Sequence, residues 1–278
     1  MTTPRYLRPG VSLMEILVAI AIAGLLLALL LPAIQKVRQA ASIIREKNKV
    51  KQIELAFHML AEQTGGMAGG ALLFRSLLPY LDHPLTEEQL QRLSSDYAIP
   101  VFVNYDDPSL AVRSNADKGA ASYAFNYQIH GNMRVLRAAV LRDGASNTIE
   151  LTTHYTFGMN RDPDGVLHGY SRSWMIPEPL LITCSIEPDY RVTPLPTTFA
   201  NPYVREILPS SPEAAVVTFQ AKPPVDQIDY RIPQSPYSHG LLVGMADGSV
   251  RMVSPNVSPR TFWAAVSPNG GDLLGPDW

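Results

Sequence analysis

The stretch Arg8–Pro32, RPGVSLMEILVAIAIAGLLLALLLP, sets one acidic residue, Glu15, at the start of an otherwise apolar run. From Ile16 to Leu31 no side chain is charged or strongly polar, and Val11, Leu13 and Met14 extend the run backwards to roughly the 20 residues that a membrane-spanning helix requires. A carboxylate in such a helix costs about 2.5 to 3.5 kcal/mol at its centre and less near an end, so an intramembrane acid marks a functional position with a partner. Gly10 is a small residue at the junction between a polar leader carrying Arg5 and Arg8 and the apolar run, where a peptidase reaches the backbone. Cleavage after Gly10 leaves Val11 with a free α-amino group. Positions 11 and 15 are one helical turn apart and share a face, so the amine and the Glu15 carboxylate neutralise each other or their counterparts on neighbouring chains.

Three simpler readings compete. A secretory signal peptide shares the basic and apolar regions, but its cleavage site follows the apolar stretch with small residues at −3 and −1. Here the A-x-A of Ala21 to Ala23 lies in mid-run, and Leu31-Pro32-Ala33 has a large residue at −3. A plain membrane anchor explains the length but neither the Gly10 junction nor Glu15, and a buried helix of a soluble protein fits the length poorly. Lys36, Arg38, Arg45, Lys47, Lys49 and Lys51 follow the span, so charge counting alone places the C-terminal bulk in the cytoplasm.

A formal charge of −2 and a pI near 6.3 give no overall reason to expect nucleic acid. The basic cluster at 36–51 is diluted by Glu46 and Glu54 and reads as a solvated helix face, of the kind that also touches lipid headgroups. A single cysteine, Cys184, makes no intrachain disulfide, so the fold must hold by its core.

Beyond Pro32 the helical pattern continues. Ala33 to Glu62 lacks Gly and Pro, Val50, Ile53, Phe57 and Leu60 form an apolar stripe, and Gly65-Gly66 ends it. A helix over about 12–63 is roughly 75 to 80 Å long, with Pro32 kinking or loosening it near residues 28–32. The remainder reads as a head in which β-structure predominates. Ala71 to Leu81 is a short helical segment stopping near Pro79, and Thr86-Glu87-Glu88-Gln89 is a capping box opening a helix to Leu93. Strand-like runs follow at 101–105, 121–129, 134–141 and 148–153. Arg142 to Thr148 is a turn in which Gly144 is free to take positive φ. Leu241 to Ala246, Asp247-Gly248 and Ser249 to Val253 form a hairpin signal suited to a type I′ turn, and Ser258-Pro259 opens a closing helix to Val266. Residues 176–236 hold 12 of the 24 prolines, which predicts a long irregular excursion with short strands at 180–186 and 215–220.

Enzyme signatures are missing: there is no H-E-x-x-H, P-loop, G-x-S-x-G or cysteine pair. His58, His83, His130, His154, His168 and His239 are scattered and read as structural or surface groups, and Glu150 with His154 is a ligand pair only on a helix. Asp247 with Ser249 offers two of the six to eight oxygens that calcium takes, so a turn role for Asp247 explains the motif better. The loop Asp162-Pro163-Asp164-Gly165 is an equally weak site. No catalytic, cofactor-binding or metal residue is expected, and no cofactor.

The string G-V-S-L-M-E at 10–15 followed by an apolar helix resembles the prepilin cleavage and methylation signal of type IV pilins and type II secretion pseudopilins. The resemblance implies cleavage after Gly10, methylation of Val11, an assembly role for Glu15, and a helix proline of the common pilin kind at Pro32. It also implies a leader kept inside with the rest sent out, against the charge count. Over the rest of the chain, K-Q-I-E-L-A-F-H (51–58), L-L-P-Y-L-D (77–82), D-G-A-S-N-T-I-E (143–150), S-H-G (238–240) and A-D-G-S-V-R (246–251) resemble a large group of pilin-like proteins with a C-terminal D-G-S box. At 101–108 the chain carries V-F-V-N-Y-D-D-P where that group has a Cys-Pro-Ser-Asp-Pro-like element, so no cystine is implied there.

The expectation is therefore an α+β protein with a leader at 1–10, a long helix at 11–64 that spans a membrane over about 12–32, and a mainly antiparallel β head at 65–278. The function implied is a pilin-like or pseudopilin structural subunit, single-pass in the cytoplasmic (inner) membrane, with its head in the periplasm or outside. The partners implied are prepilin peptidase, an inner-membrane assembly platform, an assembly ATPase, membrane lipid and other pilin-like subunits. The alternative is a stand-alone anchored surface binding protein that uses the same export signal.

Overall fold

Leu13–Thr64 form one 52-residue helix, α1, that runs through Pro32 without a break. Its start is fixed by reciprocal bonds: the Ser12 backbone N–H donates to Glu15 Oε2 at 2.8 Å, and the Glu15 N–H donates to Ser12 Oγ at 3.2 Å. S-L-M-E is thus a capping box, which satisfies two N–H groups that the helix itself leaves open. At the far end the Thr64 hydroxyl donates to the Leu60 carbonyl at 2.8 Å, and Gly65 takes φ +74°, the left-handed stop that glycine tolerates. The computed structural model describes residues 12–65, 73–81, 99–111, 120–130, 141–161, 167–172, 184–187, 190–195, 198–199, 218–229 and 232–278. The chain divides into two units, residues 1–45 and 46–278.

The second unit packs Glu46–Thr64 of α1 on a mainly antiparallel sheet, the α+β arrangement the sequence predicts. The strands are β1 (Tyr123–Asn126), β2 (Ile149–Thr153), β3 (Phe157–Arg161), β4 (Leu167–Arg172), β5 (Cys184–Glu187), β6 (Tyr190–Leu195), β7 (Thr198–Phe199), β8 (Gln220–Ala221), β9 (Gln234–Ser235), β10 (Leu241–Met245) and β11 (Val250–Val253). The main sheet runs β11-β10-β2-β1 with antiparallel neighbours and adds the two-residue β7 parallel to β1. Val50, Ile53, Phe57 and Leu60 pack with Tyr123, Phe125, Leu151 and Leu242 of its strands. Burial of such side chains stabilises by about 1.5–3 kcal/mol each before entropy is counted. α2 (Leu73–Leu77) and the 3₁₀ turn Leu78–Tyr80 join this layer, as the reading of 71–81 anticipates.

A second layer buries Ala124, Ile149, Leu241, Val243 and Met245 of the strands against α4 (Pro259–Val266), which contributes Phe262, Trp263 and Val266. Ser258 caps α4, its Oγ accepting from the Thr261 N–H at 3.3 Å, and Pro259 occupies the first helical position as expected. The C-terminal segment folds back over this end, because Asp277 accepts from the Ser258 N–H and the Thr261 hydroxyl, both at 2.6 Å.

Four local expectations need correction. Residues 101–105 are not a strand: Pro100–Phe102 form a 3₁₀ turn, and Ile99, Val101, Phe102 and Val103 are all buried. Phe102 N–H to Ile99 O at 2.9 Å and Val103 N–H to Pro100 O at 3.4 Å close the turn, and its tertiary packing overrides the intrinsic strand preference of Val101 and Val103. The run 121–129 yields only β1, after which α3 (Tyr127–His130) begins. Asn126 makes the bend, its Oδ1 accepting from the Gln128 N–H at 3.0 Å while its Nδ2 donates to the Ile149 and Val266 carbonyls at 2.9 and 2.7 Å.

The β10–β11 hairpin exists, but its turn is not type I′. Among the described residues Lys222 is the one non-glycine at positive φ, so Asp247 does not adopt it, and only Gly248 does, at +78°. The loop is Ala246–Gly248, closed by Gly248 N–H to Met245 O at 2.7 Å and Met245 N–H to Ser249 O at 2.8 Å, a glycine-bulge turn. The proline-rich 176–236 also holds more strand than anticipated, with β6 between β4 and β5 in a second sheet ordered β3-β4-β6-β5. Pro194 lies within β6 opposite Ser171 of β4 and beyond the last β5 partner, Cys184 opposite Val192. Of the strand expected at 180–186, residues 184–186 are described and fall in β5; of that expected at 215–220, residues 218–220 are described and only Gln220, which opens β8, is strand. The helix expected at 86–93 and most of the strand expected at 134–141 lie outside the described residues.

Gly248→Ala forces a left-handed alanine and sets its Cβ 3.0 Å from His58 Nε2. The expected outcome is a loss of about 1–2 kcal/mol, read as a lower urea midpoint of the detergent-solubilised full chain.

Candidate functional sites along the long helix

Among the described residues one helix, α1, is long and apolar enough to cross a membrane, with a mean hydropathy of 2.8 over an 18-residue window. Leu25, Leu26, Leu27, Leu29, Leu30 and Leu31 are each more than half exposed, so the surface is apolar all the way round rather than along one stripe. Such a surface suits hydrocarbon or the interior of an assembly and not water. Glu15 opens this helix as the acid of the capping box, and Pro32 lies within it. Gly10 and Val11, the predicted processing residues, lie outside the described residues.

In the second unit the inward face of α1 carries two acids that the sequence reading assigned to a solvated surface. Glu46 is 3% exposed, and the Tyr123 hydroxyl donates to its Oε2 at 2.5 Å. Lys49 meets Glu46 Oε1 at 2.8 Å and donates to the Val103 carbonyl at 2.6 Å, with its ammonium 4.7 Å from the centre of the Tyr105 ring. Burial, with the Glu46 charge beside it, pushes the Tyr123 hydroxyl well above its ordinary range, so it remains a donor. Around the same loop Asp106 accepts from the Tyr237 hydroxyl at 3.0 Å, while buried Asp107 accepts from the Ser109 and Thr156 N–H groups at 2.9 and 2.7 Å. Burial pushes the Asp107 carboxyl up although these bonds pull it down.

Two turns further along, Glu54 is fully buried beside Glu150. His130 Nε2 bonds Glu150 Oε1 at 2.8 Å, and the imidazole stacks on Phe57 with ring centres 4.9 Å apart. Glu150 reaches this face through a bulge: Ile149 pairs with Met245 and Leu151 with Gly244, leaving Glu150 as the extra residue on β2. Gly244 makes the seat for Glu54, since a Cβ there would stand 1.8 Å from Glu54 Oε1. Burial, then the Glu150 charge, raises the Glu54 carboxyl well above its ordinary range. Burial also works against Glu150, but the hydrogen bond and charge of His130 outweigh it and hold Glu150 low.

The motifs read separately along the chain meet here. K-Q-I-E-L-A-F-H supplies Glu54 and also Lys51, whose ammonium donates to the Gly248 carbonyl at 2.6 Å. D-G-A-S-N-T-I-E supplies Gly144, at φ +89°, and Glu150, while A-D-G-S-V-R supplies Asp247 and Gly248. Ala246 N–H to Thr148 O at 2.9 Å and Asp247 N–H to Ala145 O at 3.1 Å join the two turns. Asp247 accepts from the Ser249 N–H at 2.8 Å, the turn role preferred over calcium, and no group of three metal-ligating side chains occurs among the described residues. Glu150 belongs with His130, not with His154, whose Nδ1 lies 3.3 Å from the Tyr155 carbonyl. Thus Lys49 and Lys51 of the basic cluster are anchors, whereas Lys36, Arg38 and Arg45 are exposed and Lys47 is half-buried.

The sequence reading missed the inward acids, although one signal was present: Glu46 and Glu54 fall on the same side of α1 as Val50, Ile53 and Phe57. The chain is thus an α+β protein whose apolar helix continues into the sheet-packed segment of a head. No family model, curated protein or solved structure matches it.

Tyr123→Phe removes the donor that satisfies buried Glu46, so the full chain is expected to lose about 1–3 kcal/mol of stability. Thermal unfolding of the second unit in detergent checks it, with Tyr105→Phe, at an exposed ring, as the near-neutral control.

Proposed function

We propose that this protein is a membrane-anchored, non-enzymatic pilin-like subunit, cleaved after Gly10 and assembling through its N-terminal helix into a pilus-like fibre or short pseudopilus. The observation that carries this reading is the helix apolar on all sides with a single acid at its first turn. Water does not favour such a surface, and a plain anchor needs no acid there. The G-V-S-L-M-E string adds a route by which a positive terminus is made beside that acid. On this reading prepilin peptidase cuts and methylates the chain, an inner-membrane platform with its ATPase moves it, and its head lies on the outer side of the cytoplasmic membrane.

The capping box supplies a sharp test, because glutamine keeps its geometry while losing the charge. Glu15→Gln and Glu15→Ala are both expected to be exported and cleaved yet absent from sheared fibres, while Ser12→Ala, losing only a cap worth about 0.5–2 kcal/mol, still assembles. Normal assembly of Glu15→Gln would show that charge pairing is not the basis of association. A stand-alone anchored binding protein would be indifferent to all three changes. Terminal sequencing of the mature chain is expected to begin at Val11 with a methylated amine; material that keeps residues 1–10 and still functions overturns the proposal.

A further inference from the structure

We propose that Glu54 and Glu150 hold one proton between them, and that its loss releases Glu46–Thr64 of α1 from the sheet, so that the head is latched at low pH and loosened as pH rises. The geometry has three parts. Glu54 is 0% exposed and Glu150 1%, and neither oxygen of Glu54 nor Oε2 of Glu150 has a donor among the described protein groups. Two ionised carboxylates side by side without donors are untenable in such a place, whereas one carboxylic acid donating to one carboxylate pairs an oxygen of each and removes one of the two charges. His130 bonds Oε1 of Glu150 and so selects Glu150 as the ionised member, leaving the proton on Glu54.

The third part is the absence of slack. Gly244 lies against the Glu54 carboxyl closely enough that a Cβ would overlap it. An ionised Glu54 therefore cannot recruit water without moving away from β10, and moving Glu54 moves the helix turn that carries Ile53 and Phe57. The charged and titratable groups acting on the pair come from every neighbouring element: Lys51 and His58 from α1, His130 from α3, and Asp247 from the hairpin loop. Lys51 favours an ionised Glu54, but its ammonium is held by the Gly248 carbonyl, and Asp247 opposes it.

The direction follows from linkage. Released, Glu54 titrates near its ordinary 4.5; docked, it keeps its proton to higher pH. Its contribution is complete below that value and declines as pH rises, the open fraction growing about tenfold per pH unit until Glu54 ionises in place. Glu150 acts oppositely, its share being lost only as pH falls below the ordinary carboxylate range.

The test is amide hydrogen exchange of the full chain in detergent, read on peptides covering residues 50–60 from about pH 5 to about pH 8 and corrected for intrinsic rates. The wild-type opening constant is expected to rise by about one decade per pH unit over part of that range. Glu54→Gln, which keeps a neutral donor in the same seat, is expected to lose that rise, leaving only the share owed to buried Asp107. Infrared difference spectra are expected to show a protonated carboxyl at neutral pH that Glu54→Gln removes. Should Glu54→Gln not fold, Glu150→Gln, which keeps an acceptor without a charge, is expected to end the rise at lower pH. A rise unchanged in either variant, or no protonated carboxyl assignable to Glu54, overturns the proposal.

Discussion

The docking of Glu46–Thr64 on one face of the sheet is the interaction on which the second unit depends. Val50, Ile53, Phe57 and Leu60 supply its apolar stripe, but apolar stripes on helices repeat every turn and tolerate sliding. The two acids remove that freedom. A slip of one turn would bring Val50 opposite either the Tyr123 hydroxyl or the Glu150–His130 pair, depending on its direction, leaving a buried polar group without its partner at about 1–3 kcal/mol. The acids thus specify the register that the hydrophobic contacts stabilise. Lys49 and Lys51 reinforce it from the rim, each donating to a carbonyl of a different loop.

The sheet is shaped to receive these acids. A regular β2 would alternate its side chains and turn Glu150 towards the layer occupied by α4; one extra residue returns it to the helix face. Gly244, opposite Leu151, then provides the depth that a side chain would fill. The turns at Gly144 and Gly248 are bonded to one another just beyond the bulge, which fixes the ends of β2 and β10 relative to Lys51. Short motifs far apart in the chain therefore act as parts of one joint.

Local chemistry made the helix, its Gly65 stop, the β10–β11 hairpin and the Ser258-Pro259 cap legible in the sequence, because each is decided within about four residues by capping, turn propensity or periodicity. Residues 101–105 and 127–129 were misread because long-range burial and the Asn126 side chain, not intrinsic preference, decide them. Glu46 and Glu54 were hidden for a related reason. Composition treats an acid on a helix as solvated, and only the third dimension shows Tyr123 or Glu150 waiting opposite it. Bulges leave no mark on period-two patterning until the partner strand is known, so Glu150 could be placed on a strand but not on a face.

Glu15 and Glu54 show the same physics under two different constraints. At Glu15 the carboxylate is satisfied within its own first turn, by the Ser12 N–H, so a single subunit carries no orphaned acid at the end of its apolar helix. For a neighbour's terminal amine to engage that carboxylate, it must compete with, or share, a local hydrogen bond worth about 0.5–1.5 kcal/mol net. A full charge in a low-dielectric setting is a stronger partner than a backbone amide, so exchange is favourable only where a second helix has already excluded water. In the proposed fibre this makes the acid silent in the isolated subunit and adhesive in the assembly. Glu54 has no comparable local donor, and its neighbour is another acid, so a proton must take the place of the amine.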